Sequence, residues 1–249
     1  MPASQTLLVE IGNSTIKLAH VRPDGAMDVV RYDSPEEFLK GVAGLEPAPG
    51  MRMVCVPVGR EPSAQLLPEL ANLPLLRGGT ALRVIERADV AGFVGTSYDT
   101  PDTLGLDRVL NLLGLGGDGI AISCGTAITV DAVNGGSPMW GAIAPGFRTA
   151  AQGLHDRVPV LPLVTPDDRI FFPARDSRTS VANGVIFGAA VAAHGIAHAL
   201  AFTAFNGDPP RIVLTGGDAP LLARLWMGAA IPEVDDLLLF RGALNVAGR

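Results

Sequence analysis

Three glycine-centred turns carry the first chemical signal in this chain of 249 residues. In Glu10-Ile11-Gly12-Asn13-Ser14-Thr15-Ile16-Lys17, β-forming residues flank Gly12-Asn13. A glycine there lets the backbone approach a ligand, and successive N–H groups form a concavity suited to an anion. Asn13, Ser14 and Thr15 add side-chain donors. Lys17 shares with Lys40 the distinction of being the chain's only lysines, and it can reach a phosphate as a point charge. Ser123-Cys124-Gly125-Thr126-Ala127 repeats the pattern, and Thr215-Gly216-Gly217-Asp218-Ala219 sets a third such turn between a strand and a helix. Singly, each is a turn. Together they point to a nucleotide held between two lobes.

Other chemical candidates fare less well. His194 and His198 stand four apart, on one helix face with metal-ligand spacing, but no acidic or cysteine third ligand is near, so they read as packing or interface residues. His155-Asp156-Arg157 reads equally as a cleft rim or as plain surface. Cys55 and Cys124 lie in apolar β-like runs and read as small buried hydrophobes. No nucleophile elbow with its Ser-His-Asp order occurs, which leaves hydrolase chemistry unsupported.

The elements that must position these residues alternate between strand and helix. Leu7–Glu10 and Thr15–Val21 read as a hairpin. Ser34-Pro35-Glu36-Glu37 is a capping box with proline at the first helical position, predicting a helix to about Ala43. Arg52–Val58 reads as a strand, Glu61–Leu73 as a helix, and Leu82–Glu86 as a short strand. Leu106, Val109, Leu110 and Leu113 form a helical stripe. Gly116-Gly117-Asp118-Gly119 marks a break, after which the residues from Ala121 repeat the pattern that begins at Leu8. Ile212–Leu214 predicts a strand and Pro220–Leu225 a helix. The expectation is an α/β fold of two duplicated lobes, 1–115 and 116–249, each a mixed sheet covered by helices.

Hydrophobic residues make up 48% of the chain and charged residues 18%, which excludes a disordered chain. The net charge of −6, without a basic stripe, argues against nucleic acid as a partner. Met1 to Gln5 holds no basic residue, so no secretory signal is expected and the cytoplasm is the expected location. Gly184 to Gly207 has no formally charged residue, yet its histidines, Ala and Gly favour a buried helix over a membrane span.

At this point the residues resemble a known family, the type III pantothenate kinases of the acetate/sugar kinase–Hsp70–actin superfamily. Glu10-Ile11-Gly12-Asn13-Ser14-Thr15-Ile16-Lys17 is similar to the family's first phosphate motif, an Asp-x-Gly-Asn-Thr/Ser pattern. Tyr98-Asp99-Thr100-Pro101 and Gly105-Leu106-Asp107-Arg108 resemble its Tyr-x-x-Pro and Gly-x-Asp-Arg acceptor signature. Gly125-Thr126-Ala127-Ile128-Thr129-Val130-Asp131 resembles the second phosphate motif. Gly141-Ala142-Ile143-Ala144-Pro145-Gly146 resembles a Gly-Gly-x-Ile-x-Pro-Gly element whose first glycine is here Trp140. Thr215-Gly216-Gly217-Asp218-Ala219 resembles the adenosine-side motif.

The resemblance implies duplicated ribonuclease-H-like, actin-like lobes and ATP-dependent phosphorylation of pantothenate, the first step toward coenzyme A. It implies ATP on residues Glu10 to Lys17 and on Thr126. It implies pantothenate on Tyr98, Gly105, Leu106, Asp107, Arg108 and Ser177, with Mg²⁺, a monovalent cation (K⁺ or NH₄⁺) and a homodimer as further expectations. Asp107 would be the base, its ionised form favoured by the helix dipole. Arg108 would meet the pantothenate carboxylate as a planar fork. Tyr98 would touch the pantothenate amide or the subunit partner.

Two acidic positions depart from the family. Glu10 stands for aspartate, one methylene longer. Ser123 stands for the aspartate associated with the monovalent cation, so either the cation requirement has gone or catalysis has. A catalytically silent paralogue that binds a nucleotide or a pantothenate-like ligand is the competing reading.

Overall fold

A computed structural model describes residues 6–46, 50–77, 80–206, 210–228 and 231–248; the stretch Met1–Gln5 and residue Gly207 lie outside them. The chain forms two compact units. The first comprises Met1–Gly95, Thr100–Gly114 and Leu239–Arg249, and the second Thr96–Asp99 and Leu115–Leu238.

In the first unit, β1 (Thr6–Ile11), β2 (Ile16–Val21), β3 (Met27–Tyr32), β4 (Arg52–Pro57) and β5 (Ala81–Val84) form one sheet in the order β3-β2-β1-β4-β5. The pairs β1–β2 and β2–β3 are antiparallel, and β1–β4 and β4–β5 are parallel. The parallel pairs need crossovers, supplied by α1 (Pro35–Ala43) before β4 and by α2 (Arg60–Ala71) and α3 (Pro74–Arg77) before β5. α4 (Arg87–Val94) and α5 (Leu106–Gly114) follow. The Ser34 hydroxyl accepts the Glu37 N–H at 3.2 Å, with Pro35 opening α1 as the sequence pattern predicts. Phe38, Val42, Leu66 and Leu70 then bury one side of these helices in a core shared with Leu7, Val9 and Met53.

In the second unit, β6 (Gly119–Cys124), β7 (Ala127–Asn134), β8 (Ser137–Pro145), β9 (Ile212–Thr215) and β10 (Glu233–Val234) form a sheet in the order β10-β9-β6-β7-β8. Again the first two hairpin pairs are antiparallel, and β6–β9 and β9–β10 are parallel. Read from the lead strand, order and senses are those of the first sheet. The burial of the two lead strands also coincides: β1 and β6 are buried at every position but the fifth, which is Glu10 in one and Ser123 in the other. The duplication thus makes the two departures from the family pattern one structural position seen twice.

Helices α6 (Phe147–Arg157), α7 (Ser177–Ala182), α8 (Gly188–Ala204) and α9 (Ala219–Arg224) accompany this sheet, with a π-helical turn over Asn183–Phe187 joining α7 to α8. A last helix, α10 (Leu238–Ala247), groups with the first unit from Leu239 onward. The segment Ser177–Ala204 is long and apolar enough to cross a membrane by length and composition. Against the expectation of a buried helix, only 22% of its most apolar window is buried. The covered stripe of α8 is Ala190, Ala193, Ala197 and Ala204, one helical face, while Phe202 is 71% exposed.

Candidate functional site

The lead hairpin of the first unit is closed by the Ile11–Ile16 pair, both buried, and by Gly12 N–H donating to the Thr15 carbonyl at 3.0 Å. A Cβ on Gly12 would lie 2.8 Å from that same oxygen, so the tight turn requires glycine. Asn13 and Ser14 are exposed at its tip and Thr15 is half-buried. Val58 and Gly59 both donate their N–H groups to the Ile11 carbonyl, at 3.0 and 2.8 Å. A Cβ on Gly59 would lie 2.7 Å from the Gly12 oxygen and 3.0 Å from the Asn13 nitrogen. Gly59, which caps α2, is therefore part of the turn's support. Sequence reasoning missed it, and its signal was a glycine directly behind the predicted strand Arg52–Val58.

Glu10 and Lys17 face each other across the hairpin and form an ion pair of 2.7 Å. The Lys17 ammonium, expected to reach a phosphate, is here held by Glu10. Both side chains are largely covered, 23% and 15% exposed, which strengthens the pair relative to one in open water.

Asp107 and Arg108 occupy the first turn of α5. Burial pushes the Asp107 carboxyl above its ordinary value, and the charge of Glu10 adds to that. The N–H groups of Arg108 and of Asp107 itself, and the Arg108 charge, pull it back only in part. The amides at the helix start favour the ionised form, as expected, but desolvation outweighs them. The resulting carboxyl is more proton-hungry than an ordinary aspartate, which suits proton transfer. Arg108 is only 5% exposed. Leu106 is buried beside it and anchors the turn.

Gly105 explains itself on Asp107. A Cβ there would overlap the Asp107 carboxylate oxygen. Gly105→Ala is therefore expected to displace the carboxylate and lower kcat by about 10²-fold, the usual cost of an ångström of misplacement. Steady-state rates beside an unchanged melting midpoint check this.

The second unit repeats the hairpin. Gly125 N–H donates to the Ala127 carbonyl at 3.0 Å, and Thr126 is exposed at the tip. Gly146 N–H and the Thr149 hydroxyl both donate to the Thr126 carbonyl, at 3.0 and 2.7 Å. A Cβ on Gly146 would overlap the Gly125 carbonyl oxygen. Gly216, at φ +91°, lies against the Cys124 backbone as Gly59 lies against Gly12, and the Asp218 N–H donates to the Cys124 carbonyl at 3.1 Å. Arg148 holds Asp218 at 2.6 Å. Both thiols are pushed up to about 12, Cys55 by burial and Cys124 by burial and then the Asp218 charge, consistent with inert packing.

Ser123 is half-buried on β6, in register with Thr129 on one side and Thr215 on the other. This row offers three neutral hydroxyls and no carboxylate, so it does not fit a cation held by a negative charge. Among the described residues, no group of three or more His, Cys, Asp or Glu could hold a metal ion. A Mg²⁺ bound mainly through nucleotide phosphates needs less: one or two carboxylates suffice, and Glu10 is the one at a phosphate-type turn.

Tyr98 groups with the second unit, where its ring meets Trp140 edge-on, centroids 5.8 Å apart and planes at 81°. The Trp140 Nε1–H donates to the Ser97 hydroxyl at 2.9 Å. Ser177 is exposed in the first turn of α7, behind the capping Asp176. Asp107, Arg108, Gly105 and Glu10 are brought together within the first unit; Tyr98, Thr126, Ser123 and Ser177 belong to the second.

Known proteins resemble this chain over most of its length. The family described as type III pantothenate kinase matches residues 6–199. The type III pantothenate kinase of Desulfovibrio desulfuricans is 31% identical, with 89% of each chain covered. That of Halorhodospira halophila is 33% identical over 88% of this chain and 89% of its own. Among solved structures, one described as a conserved Baf family transcriptional activator from Campylobacter jejuni covers 97% of both chains at a TM-score of 0.64 and 19% identity, a likeness of fold. Matched over most of its length by the family and by relatives 31% and 33% identical to it, the chain belongs to the type III pantothenate kinase family.

Proposed function

We propose that the chain transfers the terminal phosphoryl group of ATP to the primary hydroxyl of pantothenate, giving 4'-phosphopantothenate and ADP. The observation that carries this reading is the Asp107 carboxyl at the start of α5, its pKa raised by burial, in a chain of this family. The hydroxyl oxygen forms the new bond to phosphorus, the bond from phosphorus to the ADP oxygen breaks, and the hydroxyl proton passes to Asp107. The turns around Gly12 and Gly125, each in its own unit, offer backbone N–H groups to nucleotide phosphates, with Asn13, Ser14, Thr15, Lys17 and Thr126 as side-chain donors. Glu10 would hold Mg²⁺, which neutralises charge on the phosphates. Arg108 meets the pantothenate carboxylate, with Tyr98 and Ser177 as further contacts.

The silent-paralogue reading has no observation in its favour: Glu10 retains a carboxylate at the turn, and Asp107 retains one at the start of α5. A homodimer in the cytoplasm completes the proposal; the partly exposed apolar helix α8 supports the dimer. Purified protein with pantothenate and ATP is expected to release ADP and phosphopantothenate. Because Ser123, Thr129 and Thr215 supply only neutral oxygens, exchanging K⁺ for Na⁺ at constant ionic strength is expected to change the rate less than about twofold, a difference of under ~0.5 kcal/mol. Absence of product overturns the function, and a strong K⁺ requirement overturns the reading of Ser123.

A further inference from the structure

A bulge in the second sheet sets one unassigned aromatic residue in an unexpected place. The β7–β8 register shifts between Val130 and Asp131, with Val130 opposite Ala142 and Asp131 opposite Trp140, so Gly141 is the extra residue. A Cβ on Gly141 would overlap the Val130 carbonyl oxygen, and the Gly141 N–H turns to the buried Asp131 carboxylate at 3.1 Å. Bulges of this kind re-aim the neighbouring side chain. Here that side chain is Trp140, which meets Tyr98 edge-on and donates to Ser97. Two different interactions thus hold adjacent residues of the short segment Thr96–Asp99 on the second unit. Among the described residues the Tyr98 hydroxyl has no hydrogen-bond partner, so the clamp fixes the ring and leaves its polar end for a ligand.

We infer that Trp140 is a positioning residue for the acceptor substrate: through the ring of Tyr98 and the hydroxyl of Ser97 it sets the place of the Tyr98 hydroxyl. This rests on the proposed pantothenate kinase function and assigns a role to a residue that stands where the motif has glycine. An edge-on aromatic pair and a neutral hydrogen bond each contribute modestly, and together their loss corresponds to about a tenfold effect on acceptor affinity. Trp140→Gly is expected to raise the pantothenate KM about tenfold, leaving the ATP KM and kcat within about twofold. Trp140→Phe keeps the ring edge but loses the N–H, and is expected to fall between.

Trp140 also reports on itself. The chain has two tryptophans, so Trp226→Phe leaves Trp140 as the sole indole emitter. Its fluorescence is expected to change on titration with pantothenate and not with ATP alone. If Trp140→Gly fails to fold, this titration and the Trp140→Phe kinetics decide the matter. A wild-type chain that makes no phosphopantothenate overturns both the function and this inference. An active wild type with an unchanged pantothenate KM in the folded Trp140 variants, equal shifts in both KM values, or a silent Trp140 emission overturns the inference alone.

Discussion

Asp107→Asn is expected to lower pantothenate phosphorylation by about 10²–10⁴-fold, the usual cost of removing a general base. The amide cannot take the hydroxyl proton, but it can still accept the N–H groups that the carboxylate accepts, so the first turn of α5 should survive. Stability sharpens the test. Because the folded-state pKa of Asp107 is raised, its contribution to stability is full below the unfolded value of 3.8 and is lost as pH rises through the raised folded value. Above that folded value the wild-type chain carries a desolvated charge that the variant lacks, so there Asp107→Asn should melt no lower than wild type. The same shift governs the pH profile. Activity requires the free carboxylate, so the acid limb should lie above the range of an ordinary aspartate. Glu10→Gln removes a charge that raises Asp107, and should move that limb to lower pH. Rates, melting midpoints and pH profiles of the two variants check each step. Wild-type turnover in Asp107→Asn would remove this residue from the mechanism.

Gly146→Ala is expected to act on the second phosphate turn with comparable force. The added methyl would overlap the Gly125 carbonyl oxygen, backbone against which no side chain can move aside. Gly146 also donates its N–H to Thr126, so relief by movement would cost that hydrogen bond. Overpacking of this kind costs about 1–3 kcal/mol. The midpoint in denaturant should fall accordingly, and the ATP KM should rise as Thr126 is displaced. An unchanged midpoint and ATP KM would show that the turn has room the geometry denies.

What was legible in the sequence was local. Ser34-Pro35-Glu36-Glu37 announced α1 because the cap bonds residues three apart. Gly12 and Gly125 announced the two hairpins because a tight turn leaves its mark in one or two residues. The helix α4 was missed because its cap is Glu86, paired reciprocally with Asp89, where a small polar residue is the usual sign. By residue type Leu82–Glu86 reads as a strand running through that cap, but β5 ends at Val84. The edge strand β3 was missed because Val29 and Val30 face solvent, leaving no alternation to see. In the site, residue types and order were readable from the motifs. The elevated proton affinity of Asp107 was not, because burial depends on everything packed around α5. Nor were the partners of Gly59 and Gly146, which support their turns from 47 and 21 positions away in sequence.

The placement of α10 has a consequence for how the chain comes into being. Its Gly242 lies so close to Leu110 in α5 that a methyl there would strike the carbonyl oxygen. Asn245 donates to the Leu113 carbonyl at 3.1 Å, and Arg83 donates to the Ala247 carbonyl at 3.0 Å. The first unit is thus sealed by a helix that follows the whole of the second unit in the chain. Chains usually fold from the N-terminus as they emerge. Here the second unit can close on its own sheet while α5, with Asp107 in its first turn, still waits for its covering helix. A nascent chain stalled before Leu239 carries Asp107 on an α5 that still lacks its covering helix, so the first unit is completed only after the second has been made.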